Sequence, residues 1–328
     1  MSIPYSRFIF QPIPWYSFLI VSGALIAIIL ASREEKRAGL KKDTVLDLAL
    51  WLLPCGIIGA RIYYVVFSWD SFRNDFWSVF RVWEGGIAIY GAIIAGFLVI
   101  AVFSRRRKIS LWALCDIIAP GLVLAQAIGR WGNYFNMEAY GAEITDPALQ
   151  FFPLGVQIAS GSGYVWHMAT FFYESLWDFL VFLFLMAARR KWLRREGDVF
   201  CFYAFLYGCG RLVVEDLRMD SLYAASSVRV SQLLSVVICV VLLIRYLRFA
   251  YADPRPYLII GVCLCCGALL FALPVLAYCL NLVIHPAEMP LGGRLLLLGL
   301  YAVFNIATLF ILYGPSGKEE VRYAIHAA

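Results

Sequence analysis

The residues best suited to chemistry lie in three clusters, and the richest runs Gly129-Arg130-Trp131-Gly132-Asn133-Tyr134-Phe135-Asn136-Met137-Glu138-Ala139-Tyr140-Gly141. Its glycines permit tight turns and close backbone approach, and Asn133 and Asn136, three residues apart, can share one helical face. Arg130 brings the planar fork that matches a phosphate. A helix end with an interfacial arginine snorkelling to lipid headgroups accounts for the same composition. The second cluster is Gly208-Cys209-Gly210-Arg211, followed by Glu215, Asp216, Arg218 and Asp220. Spacings of four and three place Arg211, Glu215 and Arg218 on one face of a helix, where a lipid-facing stripe would be costly. The spacing allows an internal Arg211–Glu215 pair, but one acid between two arginines leaves positive charge for an anionic ligand. The third cluster joins Gly59-Ala60-Arg61-Ile62-Tyr63-Tyr64 to Glu84-Gly85-Gly86-Ile87-Ala88-Ile89-Tyr90-Gly91. Small residues there favour close helix packing, with Ala92 and Gly96 as the expected small-xxx-small pair, yet packing alone leaves Arg61 and Tyr90 unexplained.

The chain that must position these residues is not an ordinary soluble domain. Of its 328 residues, 62% are hydrophobic and 15% charged, and the mean hydropathy is +0.77. Disorder, coiled coil and a secreted disulfide scaffold are excluded by the same figures. The formal net charge of +6 reads as the basic asymmetry that orients a membrane protein, with no call for nucleic acid as a partner. The nine cysteines all lie in apolar stretches and read as small hydrophobes. Cys263 and Cys266 form a CxxC with no His, Asp or Glu nearby, and His167, His285 and His326 are far apart. No metal site and no cofactor is therefore expected.

A transmembrane helix needs about 20 apolar residues. No charge occurs between Arg7 and Arg33, Glu84 and Arg105, Arg255 and Glu288, or Arg294 and Lys318. Five further apolar stretches carry ionisable residues: about 45–67 with Arg61, 109–128 with Asp116, 171–188 with Glu174 and Asp178, 199–215 with Arg211 and Glu215, and 228–247 with Arg229. The expectation is an all-α, polytopic membrane protein of about nine spans. Seven would form a core over 1–249, and 250–328 would add a two-helix hairpin and a short tail. Lys and Arg crowd the segments 33–42, 105–108 and 189–195, whereas the opposite side holds scattered single arginines. Cytoplasmic loops carry the basic excess, which puts the N-terminus outside and the C-terminus in the cytoplasm. The first apolar run lacks the basic start and small-residue cleavage site of a secretory signal. Residues 129–170 then form a long external loop with Arg130 as its one Lys or Arg, and loops of that length usually serve a function.

In this order, residues from about Trp15 to Leu247 resemble the prolipoprotein diacylglyceryl transferases, bacterial enzymes that attach a diacylglyceryl group to lipoprotein precursors. The resemblance is carried by Gly59–Tyr64, Gly85–Gly91, the specific run Gly129–Gly141, Tyr173-Glu174, Arg211 with Glu215 and Arg218, and Ser231-Gln232-Leu233-Leu234-Ser235. It implies that phosphatidylglycerol is the donor, that the lipobox cysteine of a prolipoprotein signal peptide is the acceptor, and that glycerol phosphate leaves. The setting would be the bacterial plasma membrane, with membrane lipid as the surroundings.

The implied reaction breaks a carbon–oxygen bond to phosphate while a thioether forms. Arg130 and Arg211 would stabilise the charge gathering on the leaving phosphate. Tyr90 and Glu138 are the other catalytic candidates, and Tyr16, Arg61, Asn133, Asn136, Gly141, Glu215 and Arg218 are the substrate-binding candidates. The nucleophile belongs to the substrate, so no Ser-His-Asp arrangement is required. Tyr90 stands where family members commonly have histidine. A tyrosine of pKa about 10 is a poor base at neutral pH and more readily donates a hydrogen bond. That leaves Glu138, Glu215 or the field of the arginines to deal with the thiol proton. His167 is one residue too far from Tyr173 for the family pattern and is not assigned. Two alternatives stand beside the transferase: an anion or lipid transporter using the same arginines, and a non-catalytic lipid-binding relative, which the Tyr90 replacement keeps open.

Overall fold

The computed structural model describes residues 6–218, apart from 74, 162 and 192–194. The expected spans at 228–247, 257–284 and 295–313 lie outside the described residues, as does Ser231–Ser235. The elements are β1 (Phe8–Phe10), β2 (Ile13–Pro14), α1 (Trp15–Arg37), α2 (Thr44–Phe67), α3 (Ile89–Arg107), α4 (Leu111–Asn136), β3 (Gly155–Ser160), β4 (Gly163–Met168), α5 (Thr170–Lys191) and α6 (Asp198–Leu217). Helices α1 to α5 are long and apolar enough to cross a membrane. Their burial pattern fits that solvent. Helix α2 exposes Leu50, Trp51, Ile57, Ile62 and Val66 while burying Thr44, Ala60 and Arg61. Water would reverse that preference, whereas lipid solvates aliphatic side chains as well as a protein core does.

Two compact units divide the described chain, one over 26–121 and one combining 6–25 with 122–218. In the first, Leu48, Phe103 and Leu114 form a buried cluster. Helices α2 and α3 meet through backbone: a Cβ on Gly59 would lie 2.3 Å from Ala95 Cβ, and one on Gly91 would lie 2.2 Å from the Gly59 carbonyl oxygen. The small pair is thus Gly91 and Ala95, one residue before the Ala92–Gly96 pair expected from sequence, and Gly96 has only Leu52 near it, at 3.7 Å. At the far end of the unit the buried carboxylate of Glu35 accepts from the backbone N–H of Asp43 at 2.8 Å and of Val45 at 2.7 Å. It satisfies donors that the first turn of α2 would otherwise leave unpaired.

In the second unit the core is Tyr134, Val156, Ile158, Ala169 and Phe171. Residues 129–170 are not one long loop. Helix α4 runs on to Asn136, so Arg130, Asn133 and Asn136 belong to its last turns, and β3 and β4 pair antiparallel from Gly155 with Met168 to Ser160 with Gly163. Alternation makes the hairpin: Val156 and Ile158 are buried while Gln157 between them is half-buried. The molecule is mostly helical rather than all-α. Arg218 is a second correction. It lies past the end of α6, in extended backbone bridged to Gly141, and not on the helical face with Arg211 and Glu215.

Candidate active site

The site is assembled where α4, α5 and α6 of the second unit carry ionisable residues between apolar stretches. Helix α5 is tied to its neighbours before any charge is considered. The Thr170 hydroxyl donates to the Ala139 carbonyl at 2.5 Å, the Ser175 hydroxyl to the Ala127 carbonyl at 2.8 Å, and the Trp177 indole N–H to the Leu206 carbonyl at 2.9 Å. Gly210 makes the last contact feasible, since a Cβ there would stand 2.3 Å from the Trp177 ring. These ties fix Glu174 on α5 opposite Arg130 on α4 and Arg211 on α6.

Glu174 is 2% exposed, and both guanidiniums converge on it. Arg130 Nη2 donates to Glu174 Oε1. Arg211 Nη1 donates to Oε1 at 3.0 Å and to Oε2 at 3.2 Å. The other end of the Arg211 fork, Nη2, lies 2.5 Å from Glu215 Oε2. The result is a buried chain, Arg130–Glu174–Arg211–Glu215, with two cations and two anions. The positive surplus expected from Arg211 and Arg218 over Glu215 is absent from this chain, because Arg218 lies past α6 and Glu174 balances Arg130. Among the described residues Arg130 donates to Glu174 alone, which leaves Nε and Nη1 for another acceptor. Water is scarce here, so each charge acts on its neighbours far more strongly than at a surface.

A second group sits on the end of α4. Asn133 Nδ2 donates to Glu138 Oε1 at 2.8 Å, and Asn136 Nδ2 reaches the same oxygen at 3.3 Å. Glu138 is exposed, and its neighbours Met137 (φ 53°) and Ala139 (φ 56°) both adopt left-handed backbone. Two consecutive-but-one residues in that region store strain, a feature concentrated at functional sites. Tyr16 packs directly on Gly132, where a Cβ would meet its ring at 2.6 Å, and it lies within electrostatic reach of Glu138 and Arg130. Tyr16, Arg130, Asn133, Asn136 and Glu138 thus share one region.

The other candidates have different surroundings. Gly141 is a packing position: its N–H donates to Met168 at 2.9 Å, and a Cβ would meet the Leu217 carbonyl at 2.7 Å. His167 Nδ1 donates to the Gly141 carbonyl at 2.9 Å. Arg61 and Tyr90 belong to the first unit, where Tyr90 lies 6.2 Å from the Tyr63 ring. Sequence reasoning placed Glu174 inside a span without giving it a site role. It gave none either to Asp178, one turn further on, which is fully buried with no hydrogen bond to either oxygen among the described residues. The signal for both was the same: an acid inside an apolar run.

Comparison with known sequences points to one family. The pattern that defines the prolipoprotein diacylglyceryl transferase family matches residues 6–248. A phosphatidylglycerol–prolipoprotein diacylglyceryl transferase from Enterococcus faecalis is 47% identical over 232 residues, covering 70% of this chain and 84% of the relative. The protein of that name from Limosilactobacillus reuteri is 47% identical over 235 residues, covering 71% and 85%. The Listeria welshimeri protein is 42% identical over 249 residues, covering 74% and 88%.

Proposed function

The chain belongs to the prolipoprotein diacylglyceryl transferase family, and on that premise we propose that the Arg130–Glu174–Arg211 arrangement is the seat of its chemistry. The enzyme transfers a diacylglyceryl group from phosphatidylglycerol to the cysteine thiol of a prolipoprotein, within the membrane. Transporter and purely lipid-binding readings are not favoured by these matches. The observation that carries the site assignment is the convergence of two guanidiniums on one buried carboxylate.

The glycerol carbon leaves its phosphate oxygen as sulfur attacks, the S–C bond replaces the C–O bond, and the thiol proton is lost. Negative charge moves from sulfur onto the phosphate. Arg130, with unspent donors, binds the phosphate, and Arg211 supports it from across Glu174. Fixed cations at the leaving oxygen favour the transition state over the bound lipid. Glu138 receives the thiol proton: it is exposed and oriented by Asn133, whereas Glu215 is buried and held by Arg211. Tyr90 hydrogen-bonds the headgroup. Tyr16, Asn136, Gly141 and Arg218 line or brace the substrate-binding region.

The finer architecture belongs to the same reading. Seven spans form the transferase core to about residue 249, and residues 250–328 add a hairpin and a tail. The N-terminus is outside the bacterial cell membrane and the C-terminus inside, supported by Lys36 and Arg37 at the end of α1 and Arg105, Arg106 and Arg107 at the end of α3. Purified protein given labelled phosphatidylglycerol and a lipobox peptide is expected to yield a thioether and free glycerol phosphate. Failure of the wild type to form either product overturns the assignment. Cysteine labelling from outside is expected near residues 75, 150 and 288 and not near 36, 107 and 192, and the reverse pattern inverts the topology.

A further inference from the structure

Arg61 is buried, 7% exposed, in the middle of α2. A guanidinium carries five N–H donors, and here they meet backbone carbonyls. Nε donates to Val79 at 2.8 Å, Nη1 to Gly85 at 2.6 Å and Gly86 at 2.7 Å, and Nη2 to Ser78 at 2.6 Å with Arg81 at 3.4 Å. Its carbon face lies over the Phe72 ring, 5.1 Å from the centroid. Such a fork has no donor left for a phosphate, in contrast to Arg130.

The carbonyls that Arg61 gathers belong to the segment leading into α3. Gly86 has φ +72°, and a Cβ on it would lie 2.6 Å from Arg61 Nη1 and 2.8 Å from the Tyr64 ring. The next tie comes from the residue before Arg61, because the Ala60 carbonyl accepts from Ala88 N–H at 3.1 Å. Helix α3 then begins at Ile89, and Tyr90 is its second residue. Two adjacent residues of α2 therefore clamp 85–88, and that clamp sets where the Tyr90 side chain starts. Arg81 adds a brace to the same segment through Asp75 at 2.6 Å and Glu84 at 2.9 Å. The guanidinium beside Asp75 holds its carboxyl below the ordinary value.

We propose that Arg61 is a positioning residue for the transferase reaction, acting through the Gly85 and Gly86 carbonyls to place Tyr90, and that it does not bind the phosphate. This rests on the reading of Tyr90 as a headgroup contact. The physical reason is that a contact helps only where it is held, and a displacement of about 1 Å is enough to lose it. Lysine cannot replace Arg61, because one ammonium cannot span five carbonyls.

The test compares wild type, Arg61→Lys, Arg61→Gln, Gly86→Ala and Arg130→Lys in the full-length enzyme. It measures kcat, KM for phosphatidylglycerol and inhibition by glycerol phosphate. Arg61→Lys is expected to lower kcat by up to about tenfold, no more than Tyr90→Phe costs, and to weaken glycerol phosphate inhibition no further than Tyr90→Phe does. Gly86→Ala crowds the same guanidinium from the other side and is expected to reproduce that split. Combined with Tyr90→Phe, Arg61→Lys is expected to add little further loss, because both remove the same contact. Glycerol phosphate inhibition weakened in Arg61→Lys and Arg61→Gln beyond the effect of Tyr90→Phe, to the level of Arg130→Lys, overturns the proposal, and so does wild-type kcat in folded Gly86→Ala. Unchanged inhibition in Arg130→Lys would instead remove the phosphate role from Arg130 and leave the positioning role of Arg61 standing.

Discussion

Replacing Glu174 by glutamine keeps the shape of the side chain and removes the one charge that Arg130 and Arg211 share. Hydrogen bonds to charged groups are worth roughly 1.5–3 kcal/mol each, so two guanidiniums on this carboxylate represent about 3–6 kcal/mol. Glutamine retains one neutral acceptor, worth about 1 kcal/mol, which leaves a loss of about 2–5 kcal/mol. The loss falls unevenly: Arg211 keeps Glu215, while Arg130 keeps no partner among the described residues. A buried ion stripped of its partner costs about 3–5 kcal/mol in other proteins, which agrees with that range. Catalysis is expected to suffer for a different reason. The site gains a positive charge, so glycerol phosphate inhibits as well as in wild type or better, but the forks are no longer held at a fixed separation. The expected signature of Glu174→Gln is a kcat lowered about 10²–10³-fold, with product inhibition retained. Glu174→Asp, which keeps the charge, recovers part of the rate. Thermal unfolding in detergent checks the stability term, and the initial rate of thioether formation checks the other. A folded Glu174→Gln enzyme with wild-type kcat would refute the reasoning, because the shared carboxylate would then position nothing that matters.

Three further outcomes follow from the same geometry. Arg130→Lys and Arg211→Lys are each expected to lose most activity, because an ammonium keeps the charge and loses the fork; near-normal turnover in either would remove that residue from the site. Tyr90→Phe is expected to cost about tenfold or less, with a rate profile parallel to wild type between about pH 6 and pH 9, whereas a general base would cost about 10²–10⁴-fold; initial rates across that range decide. Truncation after about Asp253 is expected to leave an inserted, active enzyme, and complete loss of activity with normal insertion would show that the residues beyond contribute to the site.

What was legible in the sequence was the address of the charges and the order of the motifs. Arg130, Arg211 and Glu215 stand out because ionisable residues are costly in apolar helices. Arg211 and Glu215 are one turn apart, so their pairing could be read from spacing. The role of Glu174 could not. Its partners lie 44 and 37 residues away, and only the packing of α5 through Thr170, Ser175 and Trp177 brings them together. Arg61 shows another limit: its partners are backbone carbonyls, which every residue has, so no residue type marks them. The β3–β4 hairpin was readable only in part, since Val156-Gln157-Ile158 alternates while Tyr164-Val165-Trp166 does not, and a signal for a long loop outweighed it. The register of the α2–α3 contact was off by one because Ala92–Gly96 and Gly91–Ala95 satisfy the small-xxx-small pattern equally, and the choice depends on which one faces Gly59.

The balance of charge in this site bears on how it can be selective for a transition state. In the transfer reaction the thiolate and the phosphodiester each carry one negative charge, and the products carry both on the phosphate. The total does not change; its location does. A site that merely held more positive charge would bind the lipid, the thiolate and the product alike, and uniform binding of that kind does not raise kcat. Arg130, Glu174, Arg211 and Glu215 sum to zero, so this chain of four by itself exerts little net pull on any anion. Its effect depends on which end of the chain the charge approaches. On the proposed assignment, as charge leaves sulfur and gathers on the phosphate oxygens, interaction with the open side of Arg130 grows, while Glu174 holds that guanidinium in place. The same neutrality lowers the penalty of keeping two arginines inside apolar helices. On the proposed assignment, a carboxylate that holds the arginines in place thus serves membrane insertion and catalysis through one set of contacts.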